Sequence, residues 1–215
     1  MIKAVIFDLD GTLVDSKPVN FLTFNRTLEA FGLSRIDEKT HSLAFCMPAR
    51  ASLAHFGIRE EDLDGALDFW MGLLQEHASM SQLFPGIEAL IGVLRERGYG
   101  LGVITSRRKK SVLRDLKRFG LIDLFDPIVS VDDVKAPKPH RDSLDVYLER
   151  AQLKEEEVIY LGDSHSDSDF ALEGGIPFAL ALWGTLDPDL KATVKLKEPA
   201  DLLVYLEDQE EMGSF

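Results

Sequence analysis

Short apolar runs recur along the chain, each followed by a longer segment with apolar residues at helical spacing. The runs are residues 3–7, 101–105, 127–130, 158–161 and 178–182. They are rich in Val and Ile and lack the polar–apolar alternation of a half-wet strand, the pattern of parallel strands covered on both faces. Between them, residues 87–97, 110–119, 142–152 and 168–173 read as helices, with Gly98, Gly120 and Gly174 placed as C-terminal caps. Strand and helix in alternation predict an α/β fold, a doubly wound and mainly parallel sheet.

One region breaks this rhythm. From about residue 19 to 83 no strand pattern appears, while 23–31, 50–56 and 63–77 carry apolar residues at helical spacing. This predicts an α/β core of residues 1–15 and 84–215 and an inserted helical cap of residues 16–83, ending at the hinge-like Phe84-Pro85-Gly86. A helical insert after the first strand reads as a lid on the sheet's carboxyl edge, where open α/β folds bind ligands. The tail, residues 207–215, is acidic and contains Gly and Ser, and predicts fraying.

Charge narrows the partners. The chain has 37 acidic residues against 24 Lys and Arg, a net charge of −13, which disfavours nucleic acid and anionic membranes. An anionic small molecule stays possible, because a few cations and a metal reverse the field locally. Cys46 is the only cysteine, so no intrachain disulfide forms, and a reducing, cytoplasmic setting is expected. Met1-Ile2-Lys3 runs straight into the first strand without a signal-type segment, and no apolar stretch of about 18 residues exists to span a bilayer. The protein itself is expected to be a monomer or homodimer.

The chemistry concentrates at strand ends. Asp8 and Asp10, in Phe7-Asp8-Leu9-Asp10-Gly11-Thr12, follow the first strand, and residues two apart in extended chain point the same way. One carboxylate suits direct attack on phosphorus; a second suits proton transfer to the leaving oxygen and then from water. Two close acids want a cation, and Mg²⁺ fits their hard oxygens. A solvated acidic turn explains the stretch equally well when it is taken alone. Thr105-Ser106 ends the second long strand before a helix, as a phosphate cradle or a simple helix cap. Lys138 lies between Pro137 and Pro139, with Lys135 as its local rival. Gly162-Asp163-Ser164, with Asp167 beyond, follows another strand. Each of the last three is weak by itself; four at the carboxyl ends of separate strands in one sheet are what an active site of this fold requires.

Together, Asp8-x-Asp10-Gly11-Thr12, Thr105-Ser106, Lys138-Pro139 and Gly162-Asp163-Ser164-x-x-Asp167 resemble the haloacid dehalogenase superfamily. The match spans about residues 3–181 and is closest to the subgroup with a helical cap after the first motif, which includes phosphoglycolate-phosphatase-like enzymes. The resemblance implies that Asp8 is the nucleophile and a Mg²⁺ ligand, and Asp10 the acid/base and a ligand through its backbone carbonyl. It implies that Thr105 or Ser106 binds phosphate, Lys138 stabilises charge, Asp163 ligates Mg²⁺, and Asp167 supports the lysine or the metal.

A Mg²⁺-dependent phosphatase of a small phosphorylated metabolite, its one expected partner, acting through an aspartyl-phosphate intermediate, is therefore expected, with a β-phosphoglucomutase-type phosphomutase as the alternative. A haloacid dehalogenase fits less well, since carbon–halogen cleavage leaves no oxygen for Asp10 to protonate. Arg50, in the insert, is the candidate for the substrate's far end, against a plain surface arginine. The basic run Arg107-Arg108-Lys109-Lys110 is read as a solvated helix start.

Overall fold

The computed structural model describes residues 1–45 and 47–212, so Cys46 and residues 213–215 of the tail lie outside it. The chain opens with β1 (Ala4–Phe7) and β2 (Val14–Asp15). It then passes through α1 (Lys17–Ala30), α2 (Glu38–Phe45), α3 (Ala49–His55) and α4 (Leu63–Glu76), and returns at β3 (Gln82–Leu83). Helices and strands then alternate through α5 (Ile87–Glu96), β4 (Gly100–Ile104), α6 (Lys109–Arg118), β5 (Ile128–Val129) and α7 (Asp142–Ala151). The series ends with β6 (Val158–Gly162), α8 (His165–Gly174), β7 (Phe178–Ala181), β8 (Val194–Leu196) and α9 (Asp201–Met212). Two compact units result: residues 1–14 with 83–215, and residues 15–82. β2 and β3, where the chain crosses between units, form a two-stranded sheet, and the Phe84 N–H donates to Leu13 O at 3.0 Å.

In the first unit six strands pair in the order β5-β4-β1-β6-β7-β8, and the pairings along it are parallel. β1 sits between β4 and β6, in register Phe7 with Val103 and with Leu161. From β1 the chain winds outward through β4 and β5, then returns to β6 on the other side. That reversal puts a crevice outside the strands' carboxyl ends. The alternation within β1 explains why its sequence is apolar throughout. Val5 and Phe7 pack with Ile91 of α5 and Leu116 of α6, while Ala4 and Ile6 pack with Leu144 of α7 and Phe170 of α8.

The second unit closes on its own core of Phe24, Leu28, Leu53, Leu63 and Trp70. Phe24 meets Trp70 edge-on at 5.0 Å, a contact worth about 0.5–1.5 kcal/mol beyond its area, and the indole N–H donates to Thr23 Oγ1 at 3.1 Å. His41 of α2 is 5% exposed and packs against Phe21, Phe24 and Phe45. Burial among these rings pushes its imidazole pKa down to about 4 from 6.5. Between those values the unfolded chain binds the extra proton and the folded unit does not, so stability falls as pH drops from 6.5 to 4. The thermal midpoint of this unit is expected to fall across that window, and His41→Met to flatten the slope; equal slopes in both proteins would exclude His41 as the cause.

Several boundaries differ from the sequence reading. α2 was not anticipated: Glu38, Lys39 and Thr40 dilute the apolar spacing, and the helix is secured from outside by the Asp37 side chain, which accepts the Thr40 N–H at 2.7 Å. β8, an edge strand of three residues, shows no apolar run because Lys195 occupies its middle. Gly98 and Gly120 take positive φ after their helices, but α8 runs through Gly174 and ends on Gly175, at φ +67°. The expected fraying of the tail is replaced, as far as Met212, by α9. Leu202 and Leu206 of that helix are buried, and Glu207 and Glu210 bond Arg97 and Tyr99 at 2.6 and 2.5 Å. Among the described residues, no helix is long and apolar enough to cross a membrane.

Candidate active site

The end of β1 delivers Asp8. Its N–H continues the ladder to Leu161 O at 2.8 Å, and the chain then turns sharply: the Gly11 N–H donates to Val14 O and the Val14 N–H to Leu9 O. The Asp10 carbonyl takes part in neither bond. Gly11 has φ +81°, and a Cβ there would collide with the Asp163 carboxylate, so the turn requires glycine twice over. On its other side the turn is held by the segment after β7. The Trp183 indole donates to Thr12 O at 3.0 Å, and Gly184 lies so close to the Gly11 carbonyl that a Cβ would overlap it.

Lys138, in the loop after β5, reaches this turn with a side chain only 4% exposed. Its three ammonium protons all find acceptors: Asp8 Oδ1 at 2.7 Å, Asp167 Oδ1 at 2.6 Å and the Tyr160 hydroxyl at 2.8 Å. Lys135, its rival in the sequence, is exposed. Burial and the Asp167 charge push the Asp8 pKa up to about 7 against the opposing pull of Lys138. Burial by itself would lower the lysine's pKa, yet Asp167 and Asp8 raise it above the ordinary value.

Asp167 opens α8 through a capping box. Its Oδ2 accepts the Ser164 N–H and hydroxyl at 3.0 and 2.6 Å, while the Asp167 N–H donates to Ser164 Oγ at 3.3 Å. The same Oδ2 also accepts the Asp163 N–H at 3.2 Å. Despite burial, Lys138 and these bonds hold the Asp167 pKa low. Asp163, at the end of β6, accepts the Thr12 hydroxyl at 3.4 Å. Asp8, Asp163 and Asp167 are all buried, and each offers a carboxylate oxygen within 4.8 Å of the others. A set of hard oxygen donors in which burial opposes the charge of one member fits a divalent cation such as Mg²⁺. With its Oδ1 held by Lys138 and Tyr160 and its Oδ2 by Ser164 and the Asp163 N–H, Asp167 has little freedom to turn toward an ion.

Thr105 is buried at the end of β4, with its N–H on Val129 O and its Oγ1 accepting the Arg107 N–H at 3.3 Å. Ser106 is exposed, and α6 begins only at Lys109, so the hydroxyl pair sits in a loop and not on the helix end itself. Arg50 lies in the helical unit, where its guanidinium is taken by Glu60 at 2.8 Å and by Asp64.

The solvated reading of the basic run is corrected at Arg107. Its side chain is 24% exposed and bridges two acids, Asp115 at 2.7 Å and Asp10 at 3.4 Å. Burial alone would lower its pKa, but Asp10 and Asp115 raise it. Lys109 also turns inward, to Ile128 O at 2.6 Å and Asp133 at 3.3 Å, whereas Arg108 and Lys110 are exposed. Sequence reasoning missed Tyr160 as well. Its single hydroxyl proton is shared between Ile104 O at 3.1 Å and Asp167 Oδ1 at 3.0 Å. A tyrosine in the middle of an aliphatic buried strand is itself a signal, because its hydroxyl must find a partner.

Residues 5–181 match the family model described as haloacid dehalogenase-like hydrolase. A phosphoglycolate phosphatase from Cereibacter sphaeroides is 33% identical, over 82% of this chain and 83% of its own. Pyrophosphatase PpaX of Listeria welshimeri is 26% identical over 97% of this chain and 98% of its own. Among solved structures, a haloacid dehalogenase-like family hydrolase from Streptococcus pneumoniae superposes with a TM-score of 0.86 at 28% identity. That alignment covers 95% of this chain and 98% of the other.

Proposed function

The chain belongs to the haloacid dehalogenase-like hydrolase family, as an enzyme of the phosphoric monoester hydrolase kind, and from that premise we propose a Mg²⁺-dependent phosphatase of a small phosphorylated metabolite. The observation that carries this reading is the buried Lys138 ammonium between Asp8 and Asp167, at 2.7 and 2.6 Å. It holds the Asp8 carboxylate in one orientation and supplies positive charge where a phosphoryl group would add negative charge.

In the proposed reaction an Asp8 oxygen attacks phosphorus, and the bond from phosphorus to the ester oxygen breaks as Asp10 gives that oxygen a proton. Asp10 then takes a proton from water as the water attacks the aspartyl-phosphate, releasing phosphate and restoring Asp8. The Thr105 hydroxyl and the Ser106 N–H would take phosphoryl oxygens. Asp167 holds Lys138 in place. Asp8, Asp163 and the Asp10 carbonyl would hold the Mg²⁺, which when bound offsets the carboxylate charges and draws electron density from the phosphoryl group. Arg50 is the helical unit's candidate for the substrate's far end, and would exchange Glu60 and Asp64 for it.

The relatives' names make phosphoglycolate and pyrophosphate the first compounds to try, followed by sugar phosphates and nucleotides. Phosphate release from at least one of them with Mg²⁺, abolished by excess chelator, is the expected result. Full activity in chelator would remove the metal from the proposal. Isomer formation without phosphate release would replace the phosphatase by a phosphomutase.

A further inference from the structure

Arg107 has no part in the reaction just described, yet it is built into the site with unusual care. Its backbone N–H binds Thr105 Oγ1 at 3.3 Å, one guanidinium nitrogen donates to Asp115 at 2.7 Å, and the other faces Asp10 at 3.4 Å. Asp115 is on α6 with its side chain 4% exposed, and its second oxygen accepts Arg114 Nε at 2.8 Å. A buried carboxylate gripped from both sides cannot wander, so it fixes the Arg107 fork in one rotamer. Asp10, by contrast, is 26% exposed and sits beside the Gly11 turn, and Arg107 is the one side chain that the described hydrogen bonds and ion pairs place against its carboxylate.

We propose that Arg107, anchored by Asp115, is a positioning residue that holds the Asp10 carboxyl group in line with the leaving oxygen. This rests on the reading of Asp10 as proton donor. The fork geometry matters: guanidinium presents separate N–H groups to two carboxylates at once, whereas an ammonium is a single point on a flexible stem. The value of a proton donor depends on its being within hydrogen-bond reach of the atom it serves, so a freed Asp10 would still be present but poorly aimed. The consequence is selective. A leaving group that departs readily as an anion needs no proton, and one that departs as an alkoxide does.

The test is kcat/KM, which reports the first chemical step, over dinitrophenyl, nitrophenyl and alkyl phosphates with Mg²⁺ present. Arg107→Met is expected to cost less than about threefold on the dinitrophenyl ester and about ten- to a hundredfold on the alkyl ester, the lower part of the acid–base range. Asp115→Asn should show the same ordering with smaller losses, and Arg107→Lys should fall between Arg107→Met and the parent. In an Asp10→Asn background, Arg107→Met should add nothing further. A loss that is uniform across the esters, or that persists undiminished in the Asp10→Asn background, would overturn the proposal and make Arg107 a phosphate ligand or a purely structural residue. Asp10→Asn separates the two levels. If it shows no leaving-group dependence, the role of Asp10 falls and this inference with it; if it does and Arg107→Met does not, the inference alone falls. Should Asp115→Asn fail to fold, the Arg107 variants carry the test.

Discussion

Replacing Asp8 by Asn is expected to lower phosphate release by at least about a thousandfold while the protein still folds. The amide keeps the shape of the carboxyl group but offers no anionic oxygen to attack phosphorus. Nothing else at the end of β1 takes its place, because Asp10 is turned toward Arg107. Stability should not follow activity down. Lys138 keeps Asp167 and Tyr160 as acceptors, and the variant no longer buries a charge at this position. The sign follows from the raised pKa of Asp8, about 7 in the folded protein and about 3.8 unfolded. Below pH 3.8 the group is neutral in both states; as pH rises toward 7 the unfolded chain gives up its proton first and stability is lost. Asp8→Asn removes that loss, so its thermal midpoint in the absence of metal should equal or exceed the parent's at pH 7 and above. Turnover within tenfold of the parent would refute the covalent route.

Lys138→Met is expected to damage both activity and stability. It leaves Asp8 and Asp167 buried and facing each other without the ammonium that now sits between them at 2.7 and 2.6 Å. Removing one partner of a buried charge cluster costs about 3–5 kcal/mol, and for a chain of this size each kcal/mol lowers Tm by about 2–4 °C. A fall of about 10 °C at neutral pH is the expected outcome. Without the lysine both carboxylate pKa values rise, so the deficit should be largest above pH 7 and shrink as acidification neutralises them. Phosphate release should fall by about a hundredfold or more, since neither the nucleophile nor the incoming phosphoryl group is then offset in charge. A pH-independent deficit in Tm would mean that the lost contacts of the lysine stem, and not its charge, set the cost.

Both residues could be picked out from the sequence because they stand at breaks in a strong pattern. Asp8 ends a fully apolar strand and Asp163 ends another, each polar where the run predicts a buried edge, and Lys138 is confined between prolines. Arg107 escaped for the opposite reason: among four consecutive cations nothing local separates the one that turns inward. Asp115, eight residues on in α6, is what gives it a buried partner. Tyr160 was counted as strand core, and the ring is core, stacking edge-on with Phe170 at 4.9 Å. Its hydroxyl joins the site through contacts 56 residues back and 22 residues back in sequence, which no local window sees. The same holds for the strand order: β1 pairs with β4 and β6 across 96 and 154 residues of chain, set by the handedness of the connections and not by any one segment.

The β2–β3 ribbon has a bearing on how such a protein diversifies. The inserted chain leaves and re-enters at two strands that are paired with each other, and the Phe84 N–H is bonded to Leu13 O just inside them. Whatever lies between those points is already closed into a loop, and lengthening a closed loop adds only about 0.6 kcal/mol for each doubling. Exchange of the residues between those two strands is therefore expected to leave the register of the six strands and the carboxylates at their ends in place. The carboxylates at the strand ends and the chain between β2 and β3 thus occupy separate stretches of one sequence, on which mutation can work independently.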